Sequence, residues 1–133
     1  MVSLHQVLSS NARIPHELPK NMVAVFAGAT TGIGLATLKA FVKYAVAPRI
    51  YFLARNTPTA ERIVTDCLTT NPSSTFHVLK VDLSSVRETT AACDTIKAKE
   101  KAVNLIVLTM GEIRMDRTCT LPSLPSSLST IDH

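Results

Sequence analysis

The chain has 133 residues, of which 46% are hydrophobic and 5% aromatic, and its formal net charge is +4. This length allows one domain, and the apolar content excludes a largely disordered chain. Scattered basic residues with few aromatics argue against nucleic-acid binding, and the longest apolar run, residues 22–29, is too short to span a membrane. Three cysteines without a Cys-x-x-Cys pair predict neither a disulfide framework nor a metal site, so we expect a cytoplasmic protein.

Residues 1–20 mix Ser, Asn, Pro and His without sustained periodicity, which predicts an irregular N-terminal arm. Four apolar runs rich in β-branched residues then predict strands at 22–27, 49–54, 75–81 and 103–109. Helical spacing of apolar residues predicts a helix between each pair of strands. The first helix ends at Pro48, the second opens after Thr57-Pro58-Thr59 and is closed by Asn71-Pro72, and the third runs from Ser84 or Ser85 to about Lys99.

The predicted order βαβαβαβ is typical of an α/β fold with a parallel sheet and helices on both faces. We therefore expect residues 21–112 to form a partial Rossmann fold, the nucleotide-binding half of a doubly wound domain. Residues 113–133 carry Pro and Ser without either periodicity, which predicts a disordered tail.

The stretch "VFAGATTGIGLA", residues 25–36, joins the first strand to the first helix of this unit. Gly28 leaves the strand, and Gly32 and Gly34 fall in the first helical turn. Glycines let a pyrophosphate approach the backbone N–H groups and the helix dipole, so the spacing favours a dinucleotide site over a glycine-rich turn without a ligand. Ile33-Gly34-Leu35 excludes a Walker A loop, and Thr37 stands where G-x-G-x-x-G would place its third glycine.

The end of the second strand indicates which dinucleotide would bind. Ala54-Arg55-Asn56 offers no carboxylate for a ribose 2′-hydroxyl, whereas the Arg55 guanidinium would pair with a 2′-phosphate. We therefore predict NADP(H) over NAD(H). The alternative is that Arg55 is a solvated loop residue.

Three segments, "AGATTGIG", "VDLS" at 81–84 and "NLIVLTMG" at 104–111, together resemble the short-chain dehydrogenase/reductase family over about residues 20–111. The closest resemblance is to fungal members found in secondary-metabolite gene clusters. It implies that Asp82 hydrogen-bonds the adenine amino group and that Leu83 flanks the ring, although Asp82 could equally be a helix cap. The predicted cofactor-binding residues are Gly28, Thr30, Thr31, Gly32, Ile33, Gly34, Arg55, Asn56, Asp82 and Leu83.

The sequence departs from the family pattern at several positions. Ala27 replaces the family's threonine, Asn104 replaces an aspartate, and residues 108–110 replace Asn-Asn-Ala. The resemblance implies a catalytic Ser and a Tyr-x-x-x-Lys pair, but Tyr44 is followed at i+4 by Pro48 and Tyr51 by Arg55. We therefore assign no catalytic residue.

Three interpretations remain open. In the first, the chain is a truncated, inactive NADP(H)-binding half. In the second, it is an active ketone reductase or alcohol dehydrogenase of a fungal polyketide or terpenoid pathway whose sequence is incomplete. In the third, it is a non-catalytic partner that pairs its strand edge at "LIVLT" with a full-length relative. The abrupt change to Pro/Ser-rich sequence after residue 117 also suggests a frameshift, which the underlying DNA would test.

Overall fold

A computed structural model describes residues 1–110, together with the backbone of residues 119–120 and 124–125. Its main sheet consists of four parallel strands in the order β3-β2-β1-β4. This arrangement confirms the predicted α/β, Rossmann-like fold. The strands are β1 Val23–Ala27, β2 Arg49–Ala54, β3 Thr75–Lys80 and β4 Leu105–Leu108; the helices are α1 Leu4–Ala12, α2 Ile14–Glu17, α3 Gly32–Tyr44, α4 Thr57–Thr70 and α5 Val86–Lys99.

Helices cover both faces of the sheet, as the alternation of elements predicts. All five residues of β1 are buried, so this strand is enclosed on both sides. On one face Leu38 of α3 and Ile63 of α4 pack against the sheet in one apolar cluster. On the other face Ala92 and Ile96 of α5 pack against it in a second cluster. The sheet is therefore the middle of three layers.

The strand β4 lies at the edge of the sheet and pairs only with β1 among the described strands. Its residues alternate between half-buried and exposed, and Ile106 and Leu108 are 59% and 60% exposed. Asn104 fixes its start, since its backbone N–H donates to the Val23 carbonyl over 2.8 Å and its Oδ1 accepts from the Val23 N–H over 2.9 Å. The backbone and side chain of Asn104 thus anchor the start of β4 to β1.

The expectation of an irregular N-terminal arm was wrong in its local structure, because residues 4–12 and 14–17 are helical. A capping box starts α1: Ser3 Oγ accepts from the Gln6 N–H, and the Gln6 side chain accepts from the Ser3 N–H. Pro15 lies in the first turn of α2, where its missing N–H costs nothing. Neither helix buries a residue: the apolar side chains of Leu4, Val7 and Leu8, which recur at helical spacing in α1, are exposed.

The predicted tail, 113–133, lies outside the described residues apart from two short strands. These are β5 Cys119–Thr120 and β6 Leu124–Pro125, which pair antiparallel. Among the described residues no helix combines the length and apolar character that crossing a membrane requires.

Candidate functional site

The candidate site lies at the edge of the sheet where all four parallel strands end. Gly28 follows β1, Arg55 follows β2, Asp82 comes two residues after β3, and Thr109 follows β4. In open α/β sheets the carboxyl ends of the strands form the ligand crevice. The topology therefore brings the predicted residues to one edge.

Two of the three glycines are required by the protein's own packing. Gly28 has φ +83°, and a Cβ there would lie 2.6 Å from the Met110 backbone nitrogen. A Cβ at Gly34 would lie 2.7 Å from the Gly28 carbonyl oxygen and would also collide with Thr109 Oγ1. The sequence-based explanation, that a pyrophosphate requires all three glycines, needs correction at these two positions, because Thr109 and Met110 after β4 and the turn itself already occupy the space.

Gly32 is different. Its φ of +60° lies in the left-handed region that favours glycine, yet a Cβ at this position would meet no atom within 4 Å. The surface in front of this residue is open. Close approach of a ligand to the backbone is therefore unobstructed at Gly32.

The N-terminus of α3 has no side-chain cap. Its N-cap residue, Thr31, is extended, and its side chain accepts no hydrogen bond from the first turn. By contrast, side chains of Ser3, Asn56 and Ser85 cap α1, α4 and α5. The first backbone bond of α3 runs from the Leu35 N–H to the Thr31 carbonyl over 3.3 Å.

The N–H groups of residues 32–34 therefore have no carbonyl partner within their own helix. Beside them Thr30 is half-buried, and Thr31 and Ile33 are exposed. Such N–H groups, together with the helix dipole, attract an anion. The predicted residues of this turn thus surround a position suited to a phosphate.

Arg55 and Asn56 are adjacent in the sequence but make different interactions: Asn56 forms a hydrogen bond within the protein, and Arg55 acts through its charge. Asn56 caps α4, because its Oδ1 accepts a hydrogen bond from the Thr59 N–H over 3.2 Å. Arg55 is exposed, and its charge contributes to lowering the pKa of Asp82. The Arg55 guanidinium and the Asp82 carboxylate therefore interact electrostatically across the ends of β2 and β3.

Asp82 is held in an ionised, oriented form by the residues that follow it. Its Oδ1 accepts from the Ser84 hydroxyl over 2.6 Å and from the Ser84 N–H over 3.0 Å. These hydrogen bonds are the main cause of its lowered pKa, and the Arg55 charge adds to them. The cap of α5 is Ser85, whose Oγ accepts from the Glu88 N–H, so Asp82 is not the helix cap. Leu83 is half-buried against the cluster on the α5 face.

Thr109 belongs to the site, although sequence reasoning treated it only as a departure from a family pattern. Its hydroxyl donates to the Gly28 carbonyl over 3.1 Å, and its backbone N–H donates to the Ala27 carbonyl over 3.0 Å. The sequence signal available was its position, since residue 109 is the last residue of the fourth predicted strand.

The family model described as short chain dehydrogenase matches residues 22–123, which is more than half of the chain. The chain belongs to the short-chain dehydrogenase family. Oxidoreductase AN1596 of Emericella nidulans is 37% identical over 115 residues, covering 86% of this chain and 34% of that protein. The NmrA-like family domain-containing oxidoreductase notO of an Aspergillus species is 35% identical, covering 98% of this chain and 40% of that protein.

A solved structure extends the comparison to the fold. YwfH, an NADPH dependent reductase involved in bacilysin biosynthesis, matches with a TM-score of 0.69 at 18% identity. The match covers 84% of this chain and 44% of YwfH. The chain thus spans less than half the length of each of these three proteins.

Neither tyrosine of this short-chain dehydrogenase chain lies near the glycine turn. Tyr44 ends α3, at the opposite end of that helix from the turn. Tyr51 is buried in β2, and its hydroxyl donates to Glu100 over 3.1 Å. Burial is the main cause that raises the pKa of Tyr51. A tyrosine with a raised pKa is a poor proton donor.

In the described part of the chain, no group of three or more His, Cys, Asp or Glu side chains is placed to hold a metal ion.

Proposed function

We propose that this chain binds NADP(H) at the carboxyl edge of its sheet. The observation that carries the proposal is Gly32, a left-handed glycine with open space in front of it, beside the uncapped N-terminus of α3. The N–H groups of residues 32–34 would hold the pyrophosphate. The NADPH dependence of YwfH, a structure with the same fold, supports this choice of cofactor.

Arg55 would select the phosphorylated form of the cofactor. Within residues 1–110 the structure gives this side chain no hydrogen bond or ion pair, so its guanidinium is available for a 2′-phosphate. Asp82 would accept a hydrogen bond from the adenine amino group, since its carboxylate stays ionised. Leu83 would pack against the adenine ring, and Asn56 would contribute through the position of α4.

Bound NADPH would supply a hydride, but the residues of this chain offer no partner for the accompanying proton. The 133-residue sequence has no Tyr-x-x-x-Lys, and both tyrosines lie away from the glycine turn. We therefore propose a cofactor-binding half that does not reduce a substrate by itself.

Reduction of a ketone by a longer form of the protein is the second candidate, and it is supported by the two fungal oxidoreductases, each of which extends far beyond the matched region. A non-catalytic partner of a full-length relative is the third, supported by the exposed Ile106 and Leu108 of β4.

The free thiols of Cys67 and Cys93 are in keeping with a cytoplasmic location.

Titration of the protein with NADPH and with NADH, followed by cofactor fluorescence, tests the binding proposal. We expect saturable binding with NADPH preferred, and we expect Arg55→Ala to lose that preference by weakening NADPH alone. Losing one charge-assisted pair corresponds to about tenfold in affinity. Arg13→Ala is the matched control, because Arg13 lies between α1 and α2 in an exposed ion pair with Glu17.

Equal affinity for the two cofactors in the unchanged protein would contradict the role of Arg55. Oxidation of NADPH by the 133-residue protein in the presence of a simple ketone would contradict the claim that it lacks activity.

A further inference from the structure

We propose that Thr109 is a positioning residue that sets the shape of the phosphate-binding turn from the neighbouring strand. The inference rests on the proposed function, because the turn matters only if it holds a cofactor. It concerns a side chain that departs from the family pattern and is expected to touch the backbone of the turn rather than the cofactor.

The Thr109 hydroxyl holds the first carbonyl of the turn. Its oxygen lies 3.1 Å from the Gly28 carbonyl oxygen and 3.4 Å from that of Ala27. A hydroxyl has one proton to donate, and the shorter distance assigns it mainly to Gly28. The Ala27 carbonyl already accepts from the Thr109 N–H over 3.0 Å. The side chain therefore satisfies a carbonyl that the β1–β4 pairing leaves out.

The same hydroxyl also supports the first turn of α3. A Cβ placed on Gly34 would collide with Thr109 Oγ1 and with the Gly28 carbonyl oxygen. The hydroxyl, the Gly28 carbonyl and the Cα of Gly34 therefore form one close contact. Because residues 32–34 carry the N–H groups proposed to bind the phosphate, Thr109 determines where those groups lie.

A hydroxyl is better suited to this position than a methyl group. Valine has the same shape as threonine, but its second methyl cannot donate to Gly28 and is bulkier against Gly34. Serine keeps the donor and removes only the methyl group. Thr109 itself is exposed, so these substitutions leave the two apolar clusters intact.

Affinity for NADPH provides the first test. We expect Thr109→Val to weaken NADPH binding about three- to tenfold, the equivalent of one lost hydrogen bond. Thr109→Ser should bind as the unchanged protein does. Thr69→Val is the matched control, because Thr69 is an exposed threonine that donates to a carbonyl of its own helix, α4. Equal affinity of the Thr109→Val variant and the unchanged protein, or equal weakening by valine and serine, would overturn the proposal.

Amide hydrogen exchange without any cofactor provides the second test, and it does not depend on the proposed function. Thr109→Val should speed exchange of the Leu35 N–H, the first hydrogen-bonded amide of α3, while leaving the amides of β2 unchanged, and Thr109→Ser should restore the slower exchange. If the unchanged protein does not bind NADPH but this pattern appears, the proposed function fails and the positioning role stands. Unchanged exchange of the Leu35 N–H in the valine variant would refute the positioning role.

Discussion

Gly32 offers the sharpest separation between a glycine needed by the fold and a glycine needed by a ligand. Alanine at this position would have to adopt φ +60°, which costs roughly 1–2 kcal/mol for a residue with a Cβ. No steric cost is added, because the Cβ would meet no atom within 4 Å. We therefore expect Gly32→Ala to lower the free energy of unfolding by about that amount and to leave the protein folded.

The effect on binding should be larger than backbone strain alone explains. A Cβ in the open space at Gly32 would hold a phosphate away from the N–H groups of residues 32–34. Each charge-assisted hydrogen bond is worth about 1.5–3 kcal/mol, so losing one weakens NADPH binding at least about tenfold.

Asparagine provides a matched control for the strain. It tolerates the left-handed region better than alanine does, but its side chain is larger. Gly32→Asn should therefore recover part of the lost stability in urea unfolding and still bind NADPH weakly in fluorescence titration. If Gly32→Asn or Gly32→Ala binds NADPH as tightly as the unchanged protein, the ligand does not approach the backbone here and the reasoning fails.

Two further predictions concern polar groups beside the core. The buried Ser74 hydroxyl has no hydrogen-bond partner among the described residues, so Ser74→Ala should raise the free energy of unfolding by about 1 kcal/mol; a loss of stability in urea would contradict this. The pKa of Asp82 is lowered from its ordinary value of 3.8. Its carboxylate therefore stabilises the fold at pH values above 3.8, and this contribution disappears as the pH falls through the folded-state pKa. The unfolding free energies of the unchanged protein and Asp82→Asn should therefore differ at pH 7, approach each other as the pH falls below 3.8 and converge only below the lowered folded-state pKa, and a difference independent of pH would refute that role.

The layered core could be predicted from the sequence because its signals are periodic and repeated. The apolar run of β1 and the helical spacing in α3 each extend over several residues, so an error at one position changes little. Strand β4 shows the limit of this approach. Its predicted range of 103–109 shortens to Leu105–Leu108, although the backbone N–H groups of Asn104 and Thr109 still bond to carbonyls of β1.

The parts that could not be predicted depend on single contacts. The helix α1 begins with the reciprocal Ser3–Gln6 bonds, and its short apolar set, Leu4, Val7 and Leu8, is exposed. The roles of Gly28 and Gly34 depend on Thr109, which lies 81 residues along the chain from Gly28. Local sequence identifies a glycine turn, but only the fold shows which glycines the protein itself requires.

Backbone amide NMR shifts during a titration with NADPH test the central claim most directly. The account predicts saturable shifts at Gly32, Ile33 and Gly34, with accompanying shifts at Arg55 and Asp82, because these residues lie at one edge of the sheet. Residues of α1 should be unaffected. Shifts confined to other parts of the chain, or none at saturating NADPH, would contradict a cofactor site at this turn.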